Sequence, residues 1–363
     1  MSTIYDVARA ANVSPKTVSR VLNGDAPVGR ETRRAVEKAM AELGYVPSSA
    51  ARTMRSNRSG LIGLVTGAIS LNPEQPSLSG LPDLFIVQGV QKSLEAAGMT
   101  LLISDTGGNA DRVPSLLRTF VQHRVEGIIF VADYHKQVKL PPLPGETKLV
   151  LANCFDAAGT PAIVPDDMQG QRQLVRRMIG EGHRRIAYLT LSRSLVATGL
   201  RTEGYRAALE EAGLAFDPAL VIEADVTPPD PEAEERLLTR ALDQVLALSD
   251  PPTAICLGND RMAVRAYGLL RSRGLELPRD ISVAGFDDYR AIAESLYPKL
   301  TTAELPYAQI GARAAETLLA LIRGEAHSDG TPERVRGRIA WRDSVQPPPA
   351  TSITISSHGR KTE

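Results

Sequence analysis

The chain has 363 residues, 43% of them hydrophobic and 23% charged, the composition of an ordinary globular protein of two or three domains. No run of about 18 apolar residues occurs, so no membrane span is expected; the opening MSTIYDVARAAN lacks the apolar core of a signal peptide, which places the expected site of action in the cytoplasm. The 42 Lys and Arg balance the 42 Asp and Glu, but ten of the basic residues and only five of the acidic ones fall in residues 1–59. A basic end on an acidic remainder confines attraction for phosphate to that end.

Thr3 to Asn23 holds two short helical patterns with a break between them. Ile4, Val7 and Ala8 lie on one helical face, and Val18, Val21 and Leu22 repeat the spacing. In the break, Ser14 is a good N-cap and Pro15 suits the first helical position. The other face of the second helix carries Lys16, Thr17, Ser19, Arg20 and Asn23, all able to hydrogen-bond. A third helix is expected from about Arg30 to Leu43, with Ala35, Val36, Ala39, Met40 and Leu43 inward. The pattern predicts an all-α, three-helix head with a helix-turn-helix, residues 1–47. Pro47 ends it. Residues 48–59 then have room for one helix, Ala50 to about Arg55, too short to be stable by itself.

From Gly60 on, apolar runs alternate with helical patterns. Strands are expected at 60–65, 100–104, 127–131, 149–152, 185–190, 253–257 and 281–286. Helices are expected at 84–97, 114–123, 168–181, 202–212, 232–248, 260–273 and 307–323. Such alternation means an α/β body with parallel sheets. The strands are too many for one compact sheet, so two Rossmann-like lobes with a cleft between them are expected. Cys154 and Cys256 sit in apolar strand-like runs and read as buried small hydrophobes, neither disulfide nor metal ligands. No cofactor or metal is called for: Gly-x-Ser-x-Gly, phosphate-binding loops and metal-ligand clusters are absent from the sequence. Residues 346–363 are rich in Pro, Ser and Thr without apolar period and are expected to be disordered.

The stretch TIYDVARAANVSPKTVSRVLNG resembles the N-terminal signature of the LacI/GalR family of bacterial transcriptional regulators. Further landmarks are similar to its effector domain: RVEGII at 124–129, GHRRIA at 182–187, RTEGY at 201–205, GNDRMA at 258–263, ISVAGFDD at 281–288 and LTT at 300–302. The resemblance covers about residues 3–345. It implies a body, 60–345, of the type I periplasmic-binding-protein-like fold, with the chain crossing between lobes near Ala162, near Tyr289–Thr302 and near Arg323–Glu333. The N-lobe is then about 60–162 and 303–325, the C-lobe about 163–290 and 333–345. It implies a repressor controlled by a small molecule, and a homodimer, since no C-terminal leucine heptad is visible.

By the same resemblance the second helix enters the major groove. Pro15, Lys16 and Arg20 fall at base-reading positions; the two cations suit guanine O6 and N7, and Pro15 a thymine methyl. Tyr5, Ser14, Thr17, Ser19 and Asn23 match phosphate contacts, although Ser14 is also a cap. The short helix matches a hinge helix, with Arg52, Met54 and Arg55 at the minor groove and Met54 where relatives carry a wedging Leu. A dimer of such heads calls for a near-palindromic operator on double-stranded DNA.

Ligands of open α/β sheets sit at strand carboxyl ends, and Arg201, Asn259 and Asp287 each follow a predicted strand. The family uses these three positions for its effector. An Arg, an Asn and an Asp together suit a sugar or sugar derivative, with a nucleobase or phosphorylated metabolite open. Where relatives stack an aromatic pair, this chain has Pro82 and Asp83; Asp83 either bonds the ligand or caps the helix. Asp166, Asp167 and Asp288 read as structural rather than catalytic, and His183 as a structural surface residue. A solute-binding protein would lack the head, and an α/β sugar enzyme would need a catalytic motif, so neither is favoured.

Overall fold

The computed structural model describes residues 2–23, 27–46, 58–67, 81–144, 147–227, 230–325 and 329–348. The expected hinge helix with Arg52, Met54 and Arg55, the side chains of Asn23 and Asp83, and the tail from residue 349 lie outside them. The chain divides into two compact units, Met1–Gly60 and Leu61–Glu363.

The first unit has helices α1 (Ile4–Ala10), α2 (Pro15–Asn23) and α3 (Arg30–Glu42). Thr3 starts α1 with a capping box: its hydroxyl accepts from the Asp6 amide and the Asp6 carboxylate accepts from the Thr3 amide. The turn closes through Asn12, whose φ of 52° is a left-handed conformation Asn tolerates. Ser14 then caps α2, its Oγ 3.1 Å from the Thr17 amide. The three helices bury Val7, Ala8, Val18, Val21, Val36 and Ala39 against one another. Ala35 and Leu43, expected inside, are exposed. Two short partner helices cover only a narrow stripe of α3, so the wider face predicted from apolar spacing is not used.

The second unit is built on two six-stranded sheets. The first holds β1 (Leu61–Thr66), β2 (Thr100–Asp105), β3 (Gly127–Gln137), β4 (Lys148–Phe155), β5 (Ala162–Pro165) and β11 (Glu333–Val335), in the order β11-β5-β4-β3-β1-β2. The second holds β6 (Ile186–Thr190), β7 (Val221–Glu223), β8 (Ala254–Leu257), β9 (Ser282–Asp287), β10 (Thr301–Glu304) and β12 (Ile339–Ala340), in the order β12-β10-β9-β8-β6-β7. All pairings are parallel except β10 with β12. Between them run α4 (Leu81–Ala96), α5 (Val113–Gln122), α6 (Asp167–Gly180), α7 (Val196–Glu211), α8 (Pro231–Leu246), α9 (Asp260–Ser272), the short α10 (Arg290–Ala293) and α11 (Tyr307–Arg323). The two-lobed α/β architecture is as expected. Its central strands, such as Ile186–Thr190 and Ala254–Leu257, are buried throughout, because helices cover both faces.

Each sheet has the doubly wound order in which a second strand precedes the first and the third follows it. The crevice where strand order reverses therefore opens between the carboxyl ends of β1 and β3 in one lobe and of β6 and β8 in the other.

The crossings differ from those expected. β5 still pairs with β4, so the chain leaves the first lobe after Pro165 rather than at Ala162. β10 pairs with β9, so the return comes after Glu304, not between Tyr289 and Thr302. β11 pairs with β5, which puts 333–335 in the N-lobe; the last crossing follows Val335 rather than preceding Glu333. Strands of two to four residues carry too little apolar pattern to be seen in sequence, and they are the ones that mark the lobe boundaries. The tail expected to be disordered from 346 is packed at its start: the Gln346 carbonyl accepts from His183 Nε2 at 2.9 Å and the Ser282 hydroxyl donates to it at 3.2 Å.

Candidate functional site: a polar helix face and a charged cleft

In the head, Val18 and Val21 turn α2 inward. Lys16 and Arg20 are thereby left exposed on the other side, with Pro15, Thr17 and Ser19 half-buried at its margins. Ser14 Oγ lies 2.9 Å from Thr17 Oγ1, so both hydroxyls are occupied in starting the helix. Tyr5 on α1 is 66% exposed. The sequence-named base-reading cations thus stand on a solvent-facing helix surface.

In the body, the close approach of two loops forms the floor of the cleft in the second lobe. Gly258, directly after β8, has no room for a side chain: a Cβ there would lie 2.8 Å from the Leu191 amide, just after β6. Asn259 follows and caps α9, its Oδ1 accepting from the Met262 amide at 2.7 Å. Its amide nitrogen remains on a half-buried side chain.

Arg201, on α7, is only 3% exposed. Its Nε is 2.7 Å from Asp167 Oδ1 and its Nη1 2.6 Å from the Gly258 carbonyl. Its guanidinium lies 3.6 Å above the centre of the Phe286 ring, at the end of β9. The arginine can stand this close because α6 and α7 pack through Gly204, where a Cβ would collide with the Met168 carbonyl. Asp167 completes a chain: its Oδ2 is 2.8 Å from Nδ1 of His135, which the N-lobe strand β3 carries across. The Arg201 and His135 charges and hydrogen bonds hold the Asp167 carboxyl below its ordinary range despite complete burial. His135, Asp167 and Arg201 therefore form one polar link from the first lobe to the second. Phe85 on α4 and Tyr289 past β9 make a second contact between lobes, edge to face at 6.4 Å.

Asp287 ends β9 beside this network with φ of 131°, a backbone state that side chains rarely adopt. Its carboxyl is half-buried and is hydrogen-bonded by the Asp260 backbone amide. Burial pushes it up to about 7, Arg201 opposing and Asp167 adding to the shift. Asp260 beneath it is fully buried, accepting from Thr302 Oγ1 at 2.6 Å and the Tyr289 amide at 2.8 Å. Burial first, then the neighbouring Asp287 charge, push its carboxyl well above its usual range.

Of the sequence-named cleft residues, Arg201, Asn259 and Asp287 come together at the carboxyl ends of β8 and β9. Asp83 falls inside the first turn of α4, which begins at Leu81, and so is not at the N-cap position. Asp166 does cap α6, accepting from the Gln169 amide at 3.4 Å, and pairs with Arg336 at 3.2 Å. Asp288 does not cap the following turn; it is 2.6 Å from Arg342 Nη2. His183 is structural but buried, not on the surface. Burial lowers its pKa, and the neutral ring donates from Nε2 to the Gln346 carbonyl and accepts at Nδ1 from the Thr253 hydroxyl 2.8 Å away. Cys154 and Cys256 are buried free thiols, as expected. Sequence reasoning missed His135 and Phe286 as partners of this site and the Arg201 partnership of Asp167. The run Gly127–Val131 flags β3, but nothing in it announces that the strand continues to Gln137 and delivers His135.

A helix-turn-helix unit joined to a two-lobed body with polar groups at its switch points defines a ligand-responsive DNA-binding protein. Residues 3–48 match the family model described as "Bacterial regulatory proteins, lacI family", and residues 175–345 match "Periplasmic binding protein-like domain". The chain is 32% identical over 330 residues to the ribose operon repressor of Haemophilus influenzae, covering 89% of this chain and 92% of that one. It is 33% identical over 350 residues to the transcriptional repressor PurR of Vibrio campbellii, covering 95% and 99%. Among solved structures it is similar to the Lac repressor dimer bound to operator and the anti-inducer ONPF, with TM-score 0.75, 26% identity and coverage of 95% and 99%. It is also similar to the CelR–cellobiose complex, with TM-score 0.62, 28% identity and coverage of 95% and 100%. The chain belongs to the LacI family of bacterial regulatory proteins. It is a DNA-binding transcriptional repressor that responds to a small molecule. Among the described residues no helix is long and apolar enough to cross a membrane.

Proposed function

We propose that the cleft binds a sugar or sugar derivative through Asp287, Asn259 and Arg201, with Asp83 contributing from the first lobe. The observation that carries this is the Asp287 carboxyl, held in a strained backbone state at the end of its strand, close to the Asn259 amide and the Arg201 guanidinium. A carboxylate acceptor and an amide donor side by side suit vicinal hydroxyls. Two relatives agree in their names: one is a ribose operon repressor and another is solved with cellobiose.

Ligand between the lobes would shift their relation, and through the hinge the affinity for DNA, a coupling of typically ~1–3 kcal/mol. The DNA end of this reading has Pro15, Lys16 and Arg20 on base edges, Tyr5, Ser14, Thr17, Ser19 and Asn23 on phosphates, and Arg52, Met54 and Arg55 at the minor groove. A homodimer in the cytoplasm would set two such heads on a near-palindromic operator. Thermal-shift screening of neutral sugars tests the cleft: a sugar that stabilises the protein should fail to stabilise Asp287→Ala, and equal stabilisation of both would remove Asp287 from the site.

A further inference from the structure

The cations around the cleft are already paired. Arg201 Nε is 2.7 Å from Asp167. Arg261, in the first turn of α9 two residues past Asn259, lies 3.1 Å from the buried Glu234. Arg342 reaches Asp288, just past β9, at 2.6 Å. On the N-lobe side Lys136, next to His135, is 2.6 Å from Asp133. Among the described residues no ion pair holds Asp287, which the Asp260 backbone amide hydrogen-bonds, or the Asp260 carboxyl buried beneath it.

The Arg201 charge that a phosphate or carboxylate would need is already neutralised by Asp167, and an anion beside Asp287 opposes ionisation of its carboxyl. To gain Arg201 such an anion must displace Asp167 from a guanidinium that is 3% exposed, in surroundings that screen charge poorly. Asp167 is not easily displaced, since His135 holds its second oxygen at 2.8 Å. An uncharged polyol meets no such opposition. It can donate to Asp287 and accept from the Asn259 amide without disturbing the pair between Arg201 and Asp167.

We infer that Asp167, positioned by His135, determines the charge class of the effector: the cleft takes an uncharged hydroxyl-bearing molecule and excludes its phosphorylated or carboxylated counterpart. The assignment rests on the effector site proposed above and adds a residue and a selectivity to it. Asp167 acts through Arg201, so its signature is a ratio of affinities and not a loss of binding alone.

The experiment uses the full-length protein and isothermal titration with neutral mono- and disaccharides, the phosphate esters of the same sugars, and inorganic phosphate. For any pair that binds, the neutral member should bind the wild type at least about tenfold more tightly, and inorganic phosphate should give no saturable signal. Asp167→Asn keeps a carbonyl acceptor for Arg201 Nε but removes the negative charge. It should narrow the neutral-to-phosphate ratio by about tenfold and acquire saturable phosphate binding. His135→Gln should narrow the ratio by less. A phosphate ester preferred by the wild type, or an unchanged ratio in a folded Asp167→Asn protein, overturns the inference. If no sugar binds in either form, the carbohydrate reading fails by itself. The phosphate arm then still decides the charge selectivity: phosphate bound by the wild type refutes it, and phosphate bound only by the variant upholds it. Should Asp167→Asn not fold by circular dichroism, the wild-type arm and His135→Gln decide the matter alone.

Discussion

The head and the cleft both present arginine, in opposite conditions. On α2, Lys16 and Arg20 are exposed to solvent. In the cleft, Arg201 is buried on an aromatic ring with a carboxylate at 2.7 Å. Both follow from what surrounds the cation. The fully buried side chains of the head are valines and alanines, and among the described residues no ion pair holds Lys16 or Arg20, so these charges stay hydrated. The cleft buries its guanidinium, and a buried charge persists only with a partner. The first kind of arginine is free to meet another molecule, the role proposed for Arg20, and the second ties Asp167 to the loop at Gly258.

The largest expected effect comes from breaking the buried case. Asp167→Ala strands Arg201 and should destabilise the body by about 3–5 kcal/mol, the usual cost of an uncompensated buried charge. Urea unfolding of the body measures it, and a cost under about 1 kcal/mol, as for exposed pairs, would mean the pair is effectively solvated. Breaking the exposed case should do the reverse. Arg20→Ala should leave stability unchanged and cost about 1–3 kcal/mol of operator binding with relaxed selectivity at one base position. Operator titrations against single-base variants check this, and an unchanged preference would take Arg20 off the base edge.

A smaller effect sharpens the contrast through pH. The Asp287 carboxyl is raised from its ordinary 3.8 to about 7. The native state therefore keeps its proton where the unfolded chain has lost it. That contribution is complete below the unfolded value and is lost as pH rises through about 7. Asp260 shifts in the same direction. The melting temperature of the body should fall between about pH 5 and pH 7.5, and fall less in Asp287→Asn. Parallel profiles for the two proteins would show that Asp287 titrates as an exposed acid.

Much of this was legible in the chain before any coordinate. Period-3.6 valines, a Ser-Pro start and the alternation of long apolar runs with helices are local signals, and they predicted the head and the α/β body. Arg201, Asn259 and Asp287 could be named because each follows a strand, where such sheets hold their ligands. The shortest strands, β5, β10 and β11, could not be assigned to a lobe, since so few residues carry no periodicity of their own. Ala35 and Leu43 kept the apolar spacing of a buried face and yet are exposed, because spacing does not say how much partner surface there is to cover it.

The sequence by itself determined the kind of polar helix face, the basic end of the chain and the residues that strands and helices deliver to their ends, because each depends on neighbours within a few positions. Only the tertiary structure decided that His135, 32 residues from Asp167 in sequence, would reach it from the other lobe, and that Asp167 rather than a ligand would meet Arg201. Whether a charge is free or paired depends on what burial places opposite it, and that partner is set by the packing of elements distant in the chain.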